Sequence, residues 1–313
     1  MTSILIWHHE GDAYAQALAR RMPAADIRVA RDETEFARAL PDAEVLLGFR
    51  FPIEPFGQPT SLRWIQVTSA GAEFLAPLRD RLHGVVVTNG RGIHGAPIAE
   101  YVMAAMVMLQ SDFPSFVRAQ IVKRWQRRPV GTLHGRTLGI LGLGAIGTEI
   151  AVRASAFGMR VRGVSRSGDP VPGCAVAKTA DKLFAVLAEC DFLAVTLPLT
   201  DETRGIVGEA AFASMKTGAY LVNVSRGGVV DEAAMMRALA SRRLGGACVD
   251  VFETEPLPAD NPLWSMRNVI VTPHIAGMRQ DYVERLVDLF VENVGAYESR
   301  AAMTNVVDLG RGY

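Results

Sequence analysis

Three charged side chains follow the ends of three predicted strands in the second half of the chain. Arg226 follows Leu-Val-Asn-Val-Ser, Glu255 follows Val-Asp-Val-Phe-Glu-Thr, and His274 follows Val-Ile-Val-Thr-Pro. Taken singly, each has an ordinary explanation as a turn arginine, a surface acid or a loop imidazole. Together they supply an anion clamp, a carboxylate partner and a proton donor. Because ligands gather at the carboxyl ends of strands in open α/β sheets, we predict that the three residues form a catalytic site.

A glycine-rich turn precedes these residues and predicts a dinucleotide site. Residues 138–147 read LGILGLGAIG, so an apolar run breaks into Gly142-x-Gly144-x-x-Gly147 before a helical stretch. In such a turn the first glycine permits the bend, the second admits a pyrophosphate, and the third lets the helix pack on the strand. A second strand, residues 159–164, ends about where the ribose-reading residue is expected, roughly 20 residues on. The alternative is a tight strand–helix turn without a ligand.

The tip of that second strand carries Ser165, Arg166 and Ser167, where an NAD site usually carries Asp or Glu. A carboxylate there accepts hydrogen bonds from the ribose 2′-OH and repels a 2′-phosphate. A guanidinium flanked by hydroxyls instead holds a phosphate through charge-assisted hydrogen bonds. The alternative is a solvated arginine in a surface loop. We therefore predict NADPH or NADP as the preferred cofactor, with NAD as the second choice.

Composition limits the function classes further. The 313 residues suffice for two domains, and 33 acidic residues balance 33 basic ones, which excludes a strong basic field for nucleic acid or an anionic membrane. No run reaches about 18 consecutive apolar residues, and the N-terminus lacks a signal-peptide pattern. Cys174, Cys190 and Cys248 have no metal-ligand or redox spacing. We therefore expect no metal site, no membrane partner and a reducing, cytoplasmic location.

Apolar runs of strand length alternate with helical patterns, which is typical of parallel βα units. In the first region we predict strands at 4–7, 44–48, 62–67 and 85–88 and a helix at 13–21. From about residue 133 we predict strands at 137–141, 160–164, 192–195, 219–223, 246–250 and 269–271. A nearly all-apolar helix at 96–109 is expected to lead into the second domain, and a helix at 281–297 with a one-sided apolar stripe to return the chain to the first. The predicted fold class is α/β, with two Rossmann-like, doubly wound parallel sheets.

Several blocks of the chain, in this order, resemble the D-isomer-specific 2-hydroxyacid dehydrogenase family over nearly the whole length. They are VTNGRG (87–92), AEYV (99–102), GILGLGAIG (139–147), LPLTDET (197–203), NVSRGGVVDE (223–232), DVFETEPL (250–257), NPLW (261–264) and TPHIAG (272–277). The resemblance implies that Arg226, Glu255 and His274 fill the catalytic positions. It also implies that the dinucleotide-binding domain, residues 99–281, is inserted into a substrate domain formed by residues 1–98 and 282–313.

The resemblance extends to the binding residues. Asp250 matches the aspartate that holds the nicotinamide carboxamide, and residues 68–72 match the segment whose backbone N–H groups bind the substrate carboxylate. The substrate contacts implied are Ala70, Gly71, Arg226 and His274. The cofactor contacts implied are Gly142, Gly144, Ala145, Ile146, Gly147, Ser165, Arg166, Ser167, Leu197, Pro198, Thr203, Val224, Ser225, Arg226, Asp250, His274 and Gly277. The serine–arginine pair at 165–166 departs from the aspartate that NAD-using members commonly carry there.

Within the family the pattern is most similar to the glyoxylate/hydroxypyruvate reductases. The function implied is hydride transfer from NADPH to a small 2-oxo acid, giving the D-2-hydroxy acid. Arg226 would stabilise the negative oxygen, protonated His274 would donate its proton, and Glu255 would stabilise the imidazolium. The alternatives are an NAD-linked dehydrogenase of the lactate or glycerate type and a non-catalytic, dinucleotide-sensing corepressor. A homodimer is the expected assembly.

Overall fold

Two parallel β-sheets organise the chain in a computed structural model that describes residues 2–57, 61–178 and 182–310. The chain divides into two units: Met1–His94 with Arg279–Tyr313, and Gly95–Met278. We call these unit 1 and unit 2. Every pairing between the described strands of both sheets is parallel. The predicted fold class, two parallel-sheet α/β units, is confirmed.

Unit 1 carries a five-stranded sheet in the order β2-β1-β3-β4-β5. Its strands are β1 Ser3–Trp7, β2 Asp26–Val29, β3 Val45–Gly48, β4 Trp64–Val67 and β5 Val86–Thr88, and its helices are α1 Gly11–Arg21, α2 Glu33–Ala39 and α9 Tyr282–Glu298. The apolar stripe predicted on the last helix is confirmed, since Leu286, Phe290 and Val294 of α9 are buried. Phe290 stacks on Trp64 with ring centroids 4.8 Å apart, which fixes α9 on this sheet.

Unit 2 carries a seven-stranded sheet in the order β12-β11-β10-β9-β6-β7-β8. Its strands are β6 Thr137–Leu141, β7 Arg160–Ser165, β8 Cys174–Lys178, β9 Phe192–Val195, β10 Ala219–Asn223, β11 Leu244–Val249 and β12 Val269–Val271. Its helices are α3 Gly95–Gln110, α4 Phe113–Ile121, α5 Ala145–Ala156, α6 Leu183–Glu189, α7 Glu209–Ser214 and α8 Glu232–Ala240. The strand order reverses between β6 and β9, and this switch point is where doubly wound sheets bind dinucleotides.

The central strands of unit 2 are apolar without alternation because both faces of the sheet are covered. Along β9, Leu193 and Val195 enter one apolar cluster, whereas Phe192 and Ala194 enter the cluster on the opposite face. The nearly all-apolar helix predicted at 96–109 is α3, which packs with α5 in the second cluster. Among the described residues, no helix is both long enough and apolar enough to cross a membrane.

The sequence patterns did not predict the edge strands β2 and β8. β2 is Asp-Ile-Arg-Val, and two of its four residues are charged. β8, Cys174–Lys178, pairs only with β7 among the described strands. Both lie at the outer edge of their sheets, where burial is incomplete and the apolar signal is correspondingly weak.

Candidate active site

The turn after β6 opens directly into α5. Gly142 has a φ of +100°, in the left-handed region that favours glycine. A Cβ on Gly147 would lie 2.0 Å from the carbonyl oxygen of Gly142, so only glycine lets the helix approach the strand this closely. A Cβ on Gly144 would meet no described atom within 4 Å, so the backbone there is open to a ligand. Open backbone at the N-terminus of a 12-residue helix fits a pyrophosphate.

The loop after β9 lies across the switch point from the glycine turn at 142–147 and is hydrogen-bonded to it. On the other side of that turn, Ala145 and Ile146 begin the first turn of α5. Thr196 Oγ1 donates to the carbonyl oxygen of Gly142 at 2.6 Å. Further along the loop, Thr203 Oγ1 donates to the carbonyl oxygen of Pro198 at 2.6 Å. The predicted cofactor contacts Leu197, Pro198 and Thr203 are therefore on one hydrogen-bonded loop beside the glycine turn.

A serine-capped turn follows β7 at the position expected to read the ribose. Ser165 Oγ accepts a hydrogen bond from the backbone N–H of Gly168 at 2.9 Å, and Ser167 Oγ accepts one from Asp169 at 3.3 Å. The Arg166 side chain is exposed. This turn carries Arg166 between the two serines, and these side chains can donate hydrogen bonds to a phosphate.

Arg226 lies in the loop after β10 and is half-buried. Its Nη1 donates to the carbonyl oxygen of Ser225 at 2.9 Å, and Ser225 Oγ donates to Asn223 Oδ1 at 2.6 Å. The next residue is pressed against the loop after β11, because a Cβ on Gly227 would lie 2.0 Å from the carbonyl oxygen of Phe252. The loop with Val224, Ser225 and Arg226 is thus held next to the loop with Glu255.

Glu255 and His274 form a hydrogen-bonded pair. Glu255 Oε1 accepts from the backbone N–H of Phe252 at 3.0 Å, and Glu255 Oε2 lies 2.9 Å from His274 Nδ1. A carboxylate can only accept, so Nδ1 of His274 carries the proton and donates. This leaves Nε2 of a partly exposed imidazole to exchange a proton with a bound substrate.

Asp250 holds the loop that carries His274. This aspartate is 1% exposed, and its carboxylate accepts from Thr272 Oγ1 at 2.6 Å and from the backbone N–H groups of Ile275 and Ala276 at 2.9 Å each. His274 itself has a φ of +56°, unusual for a residue with a side chain. Its backbone N–H donates to the carbonyl oxygen of Asp250 at 2.8 Å. The sequence resemblance implied a nicotinamide contact for Asp250 and gave no sign of this structural role.

In unit 1, residues 68–71 follow β4, and the carbonyl oxygens of all four accept hydrogen bonds. The oxygens of Thr68, Ser69, Ala70 and Gly71 accept hydrogen bonds from Tyr282 Oη at 2.5 Å, Gly90 N at 2.9 Å, Asn89 Nδ2 at 2.7 Å and Ser69 Oγ at 2.6 Å, respectively. The backbone N–H groups of Ser69, Ala70 and Gly71 have no partner among residues 2–57, 61–178 and 182–310. Backbone N–H groups without a protein partner can donate to a bound anion.

One further cluster lies at the end of β1, where His8, His9 and Glu10 place three potential metal-ligand atoms within 4.8 Å of one another. His8 Nδ1 already accepts the backbone N–H of Glu10 at 3.1 Å, and the two imidazole rings stack 4.2 Å apart. Burial lowers the pKa of His8 to about 4, helped by the neighbouring His9. Because His8 Nδ1 is already engaged by a backbone N–H, we assign no ion to this cluster.

Fold and site together define a class of protein. A doubly wound sheet with an open glycine turn at its switch point, and a Glu–His pair beside an arginine at neighbouring strand ends, are the parts of a dinucleotide-dependent oxidoreductase. Residues 103–276 match the family profile described as D-isomer specific 2-hydroxyacid dehydrogenase, NAD binding domain. The chain belongs to this family of NAD(P)-dependent oxidoreductases.

Two relatives of known sequence have assigned activities. The chain is 36% identical to (S)-sulfolactate dehydrogenase of Chromohalobacter salexigens over 217 residues, covering 67% of this chain and 69% of the relative. It is 35% identical to glyoxylate reductase of Aeropyrum pernix over 239 residues, covering 72% and 70%.

Two solved structures match the whole chain. One is a D-isomer specific 2-hydroxyacid dehydrogenase from Xanthobacter autotrophicus in complex with NADPH and MES, with a TM-score of 0.89, 33% identity, and coverage of 100% of this chain and 99% of the other. The second is an NADPH-dependent glyoxylate/hydroxypyruvate reductase from Sinorhizobium meliloti in complex with NADP and sulfate, with a TM-score of 0.91, 28% identity and full coverage of both chains.

Proposed function

We propose that this protein transfers a hydride from NADPH to a small 2-oxo acid of the glyoxylate or hydroxypyruvate type and releases the D-2-hydroxy acid. The observation that carries the proposal is the pair formed by Glu255 Oε2 and His274 Nδ1 at 2.9 Å, which leaves Nε2 for the substrate. The similarity to two proteins named as glyoxylate or glyoxylate/hydroxypyruvate reductases supports the substrate class.

The roles of the residues follow from their chemistry. NADPH, when bound, supplies the hydride that reaches C2 of the oxo acid. Arg226 stabilises the negative charge that develops on the carbonyl oxygen. His274 donates its Nε2 proton to that oxygen, and the Glu255 carboxylate stabilises the imidazolium through Nδ1. In the reverse direction His274 accepts the proton.

The substrate carboxylate is proposed to bind the backbone N–H groups of residues 69–71, including Ala70 and Gly71. The engaged carbonyl groups support this role, because they fix the peptide planes and leave the N–H groups to an anion. We assign the substrate domain to residues 1–98 with 282–313 and the dinucleotide-binding domain to residues 99–281, with boundaries four and three residues beyond those that separate units 1 and 2. The family profile for NAD binding over residues 103–276 supports the second assignment.

The preference for NADPH is proposed from the turn after β7. Gly142, Gly144 and Gly147 provide the open turn for the pyrophosphate, and Arg166 between two serines meets the 2′-phosphate. Two structural neighbours that contain NADPH or NADP support this choice. An aspartate or glutamate in place of Ser165 would have favoured NAD.

We further infer that the protein is a homodimer and that its partner surface is α4. Phe113, Val117 and Ile121 recur every fourth residue along one side of this helix, and Ile121 is 75% exposed. Trp125, just beyond the helix, is 92% exposed. A second copy would cover these apolar side chains with the same surface, as two-fold symmetry requires.

Three free cysteines support a reducing, cytoplasmic location.

A panel of initial rates tests the proposed function. Glyoxylate, hydroxypyruvate, pyruvate, phenylpyruvate and 3-sulfopyruvate are each offered with NADPH and with NADH. We expect the highest kcat/KM for glyoxylate or hydroxypyruvate with NADPH. A best rate with pyruvate and NADH would indicate a lactate-type enzyme, and binding of NADPH without turnover of any oxo acid would indicate a dinucleotide sensor.

A further inference from the structure

The phenol of Tyr101, on α3, reaches the loop that carries His274. Tyr101 Oη lies 2.5 Å from Thr272 Oγ1 and 3.1 Å from Cys248 Sγ. Thr272 Oγ1 in turn lies 2.6 Å from Asp250 Oδ1. Four side chains from α3, β11 and the two loops that follow β11 and β12 are therefore joined in one chain within unit 2.

Asp250, the last group in this hydrogen-bonded series, fixes the direction of every hydrogen bond in it. An ionised Asp250 can only accept, so the hydroxyl hydrogen of Thr272 points to it. Thr272 can then only accept from Tyr101, and Tyr101, with its hydrogen committed, can only accept from the thiol of Cys248. Burial raises the pKa of the Cys248 thiol to about 11 and raises the pKa of Tyr101 as well. The Cys248 thiol and the Tyr101 hydroxyl therefore keep the protons that they donate in this hydrogen-bonded series.

The hydrogen-bonded series ends at the Asp250 carboxylate, which fixes the backbone around His274. Asp250 Oδ1 accepts from both Thr272 and the N–H of Ile275, so the position of this oxygen depends on the hydroxyl as well as on the backbone. The left-handed φ of His274 is maintained by the contacts on either side of it. A residue in this conformation persists only when its surroundings hold it there.

We propose that Tyr101 is a positioning residue for the reduction, acting through Thr272 and Asp250 to hold the His274 loop in the geometry in which Nε2 meets the substrate. The proposal rests on the function proposed above and adds a residue 171 positions away in the sequence from Thr272. Tyr101 contacts neither the Glu255–His274 pair nor Arg226 in any described hydrogen bond, so its effect is indirect.

A double-mutant cycle tests the proposal. Tyr101→Phe removes one hydroxyl donor and should lower kcat about 2- to 10-fold with the KM for the oxo acid unchanged. Thr272→Val should lower kcat further, and Thr272→Ser should retain it. The double variant Tyr101→Phe/Thr272→Val should be no slower than Thr272→Val alone, because the tyrosine acts through the threonine.

Tyr220→Phe is the matched control. Tyr220 also lies in unit 2, stacks on Phe192, and has no hydrogen-bond partner for its hydroxyl in the described part of the chain. Amide hydrogen exchange of Ile275 and Ala276, measured without substrate, gives a readout independent of turnover. It should accelerate in Tyr101→Phe and stay at the wild-type rate in Tyr220→Phe.

The two proposals fail in different ways. A wild-type protein that reduces no oxo acid contradicts the proposed function, while the exchange rates still test the role of Tyr101. A Tyr101→Phe variant that matches Tyr220→Phe in both kcat and exchange overturns the inference. Fully additive losses in the double variant would also overturn it, since Tyr101 would then act by a route that does not include Thr272.

Discussion

Replacing Asp250 by asparagine perturbs the His274 loop at a single oxygen. The carboxylate accepts three hydrogen bonds, two at Oδ1 and one at Oδ2 from the N–H of Ala276. In Asp250→Asn, the amide oxygen can keep the Oδ1 position and serve Thr272 and Ile275. The amide –NH2 then faces the N–H of Ala276, donor against donor. The opposite orientation is worse, because the –NH2 would face two donors instead of one.

The magnitude follows from the burial of the site. Ala276 is 5% exposed, so water cannot replace the lost acceptor. Losing a charge-assisted hydrogen bond and leaving a buried N–H unpaired should lower the free energy of unfolding by about 2–3 kcal/mol. For a unit of this size the midpoint of thermal unfolding should fall by about 4–12 °C. The kcat should fall on the order of 10-fold or more, since the proton donor is misplaced.

Thermal unfolding of the cofactor-free protein and steady-state rates with NADPH measure these effects. The matched control is Asp231→Asn, the same chemical change at the N-cap of α8, where Asp231 accepts one hydrogen bond from Ala234 N at 2.8 Å. Asparagine caps a helix as well as aspartate, so the control should stay within about 0.5 kcal/mol of wild type. If Asp250→Asn unfolds at the same temperature as Asp231→Asn and keeps full kcat, the role assigned to Asp250 is wrong.

Three further predictions address the cofactor, the substrate and the assembly. Arg166→Ala should raise the KM for NADPH about 10- to 150-fold and leave the KM for NADH unchanged; equal effects on both cofactors in initial-rate measurements would refute the phosphate contact. Asn89→Ala removes the donor to the carbonyl oxygen of Ala70 and should raise the KM for the oxo acid about 2- to 10-fold, with NADPH affinity unchanged; an unchanged KM would count against the anion site. Val117→Glu should shift the mass measured by light scattering from a dimer to the 33.9 kDa of one chain with an unchanged circular dichroism spectrum; a monomeric wild type would contradict the assembly.

The local parts of the site were predictable because short-range patterns specify them. Glycine spacing identifies the turn after β6, since φ at Gly142 and the close approach at Gly147 leave no other residue type. The pairing of Glu255 with His274 follows from a rule of parallel sheets, because residues after adjacent strands meet at one edge. Such rules need only strand positions, which continuous apolar runs reveal.

The supporting contacts were not predictable from the sequence. The link from Tyr101 to Thr272 spans 171 positions and has no periodic signature. Tyr101 belongs to a nearly all-apolar helical pattern, which predicts a packing role for its side chain. The same limit applies to assembly, because an apolar helical pattern does not distinguish a buried helix from an interface. The helix α3 lies in the core of unit 2, whereas α4 carries an exposed apolar stripe.

The central claim is that His274, held by Glu255, donates the proton during reduction of a 2-oxo acid. The most direct test compares wild type with His274→Ala, using NADPH oxidation with glyoxylate for kcat and fluorescence titration for NADPH binding. We predict that wild type turns over and that the variant loses about 10²- to 10⁴-fold in kcat while its Kd for NADPH stays the same. A variant with near wild-type kcat would remove His274 from the mechanism.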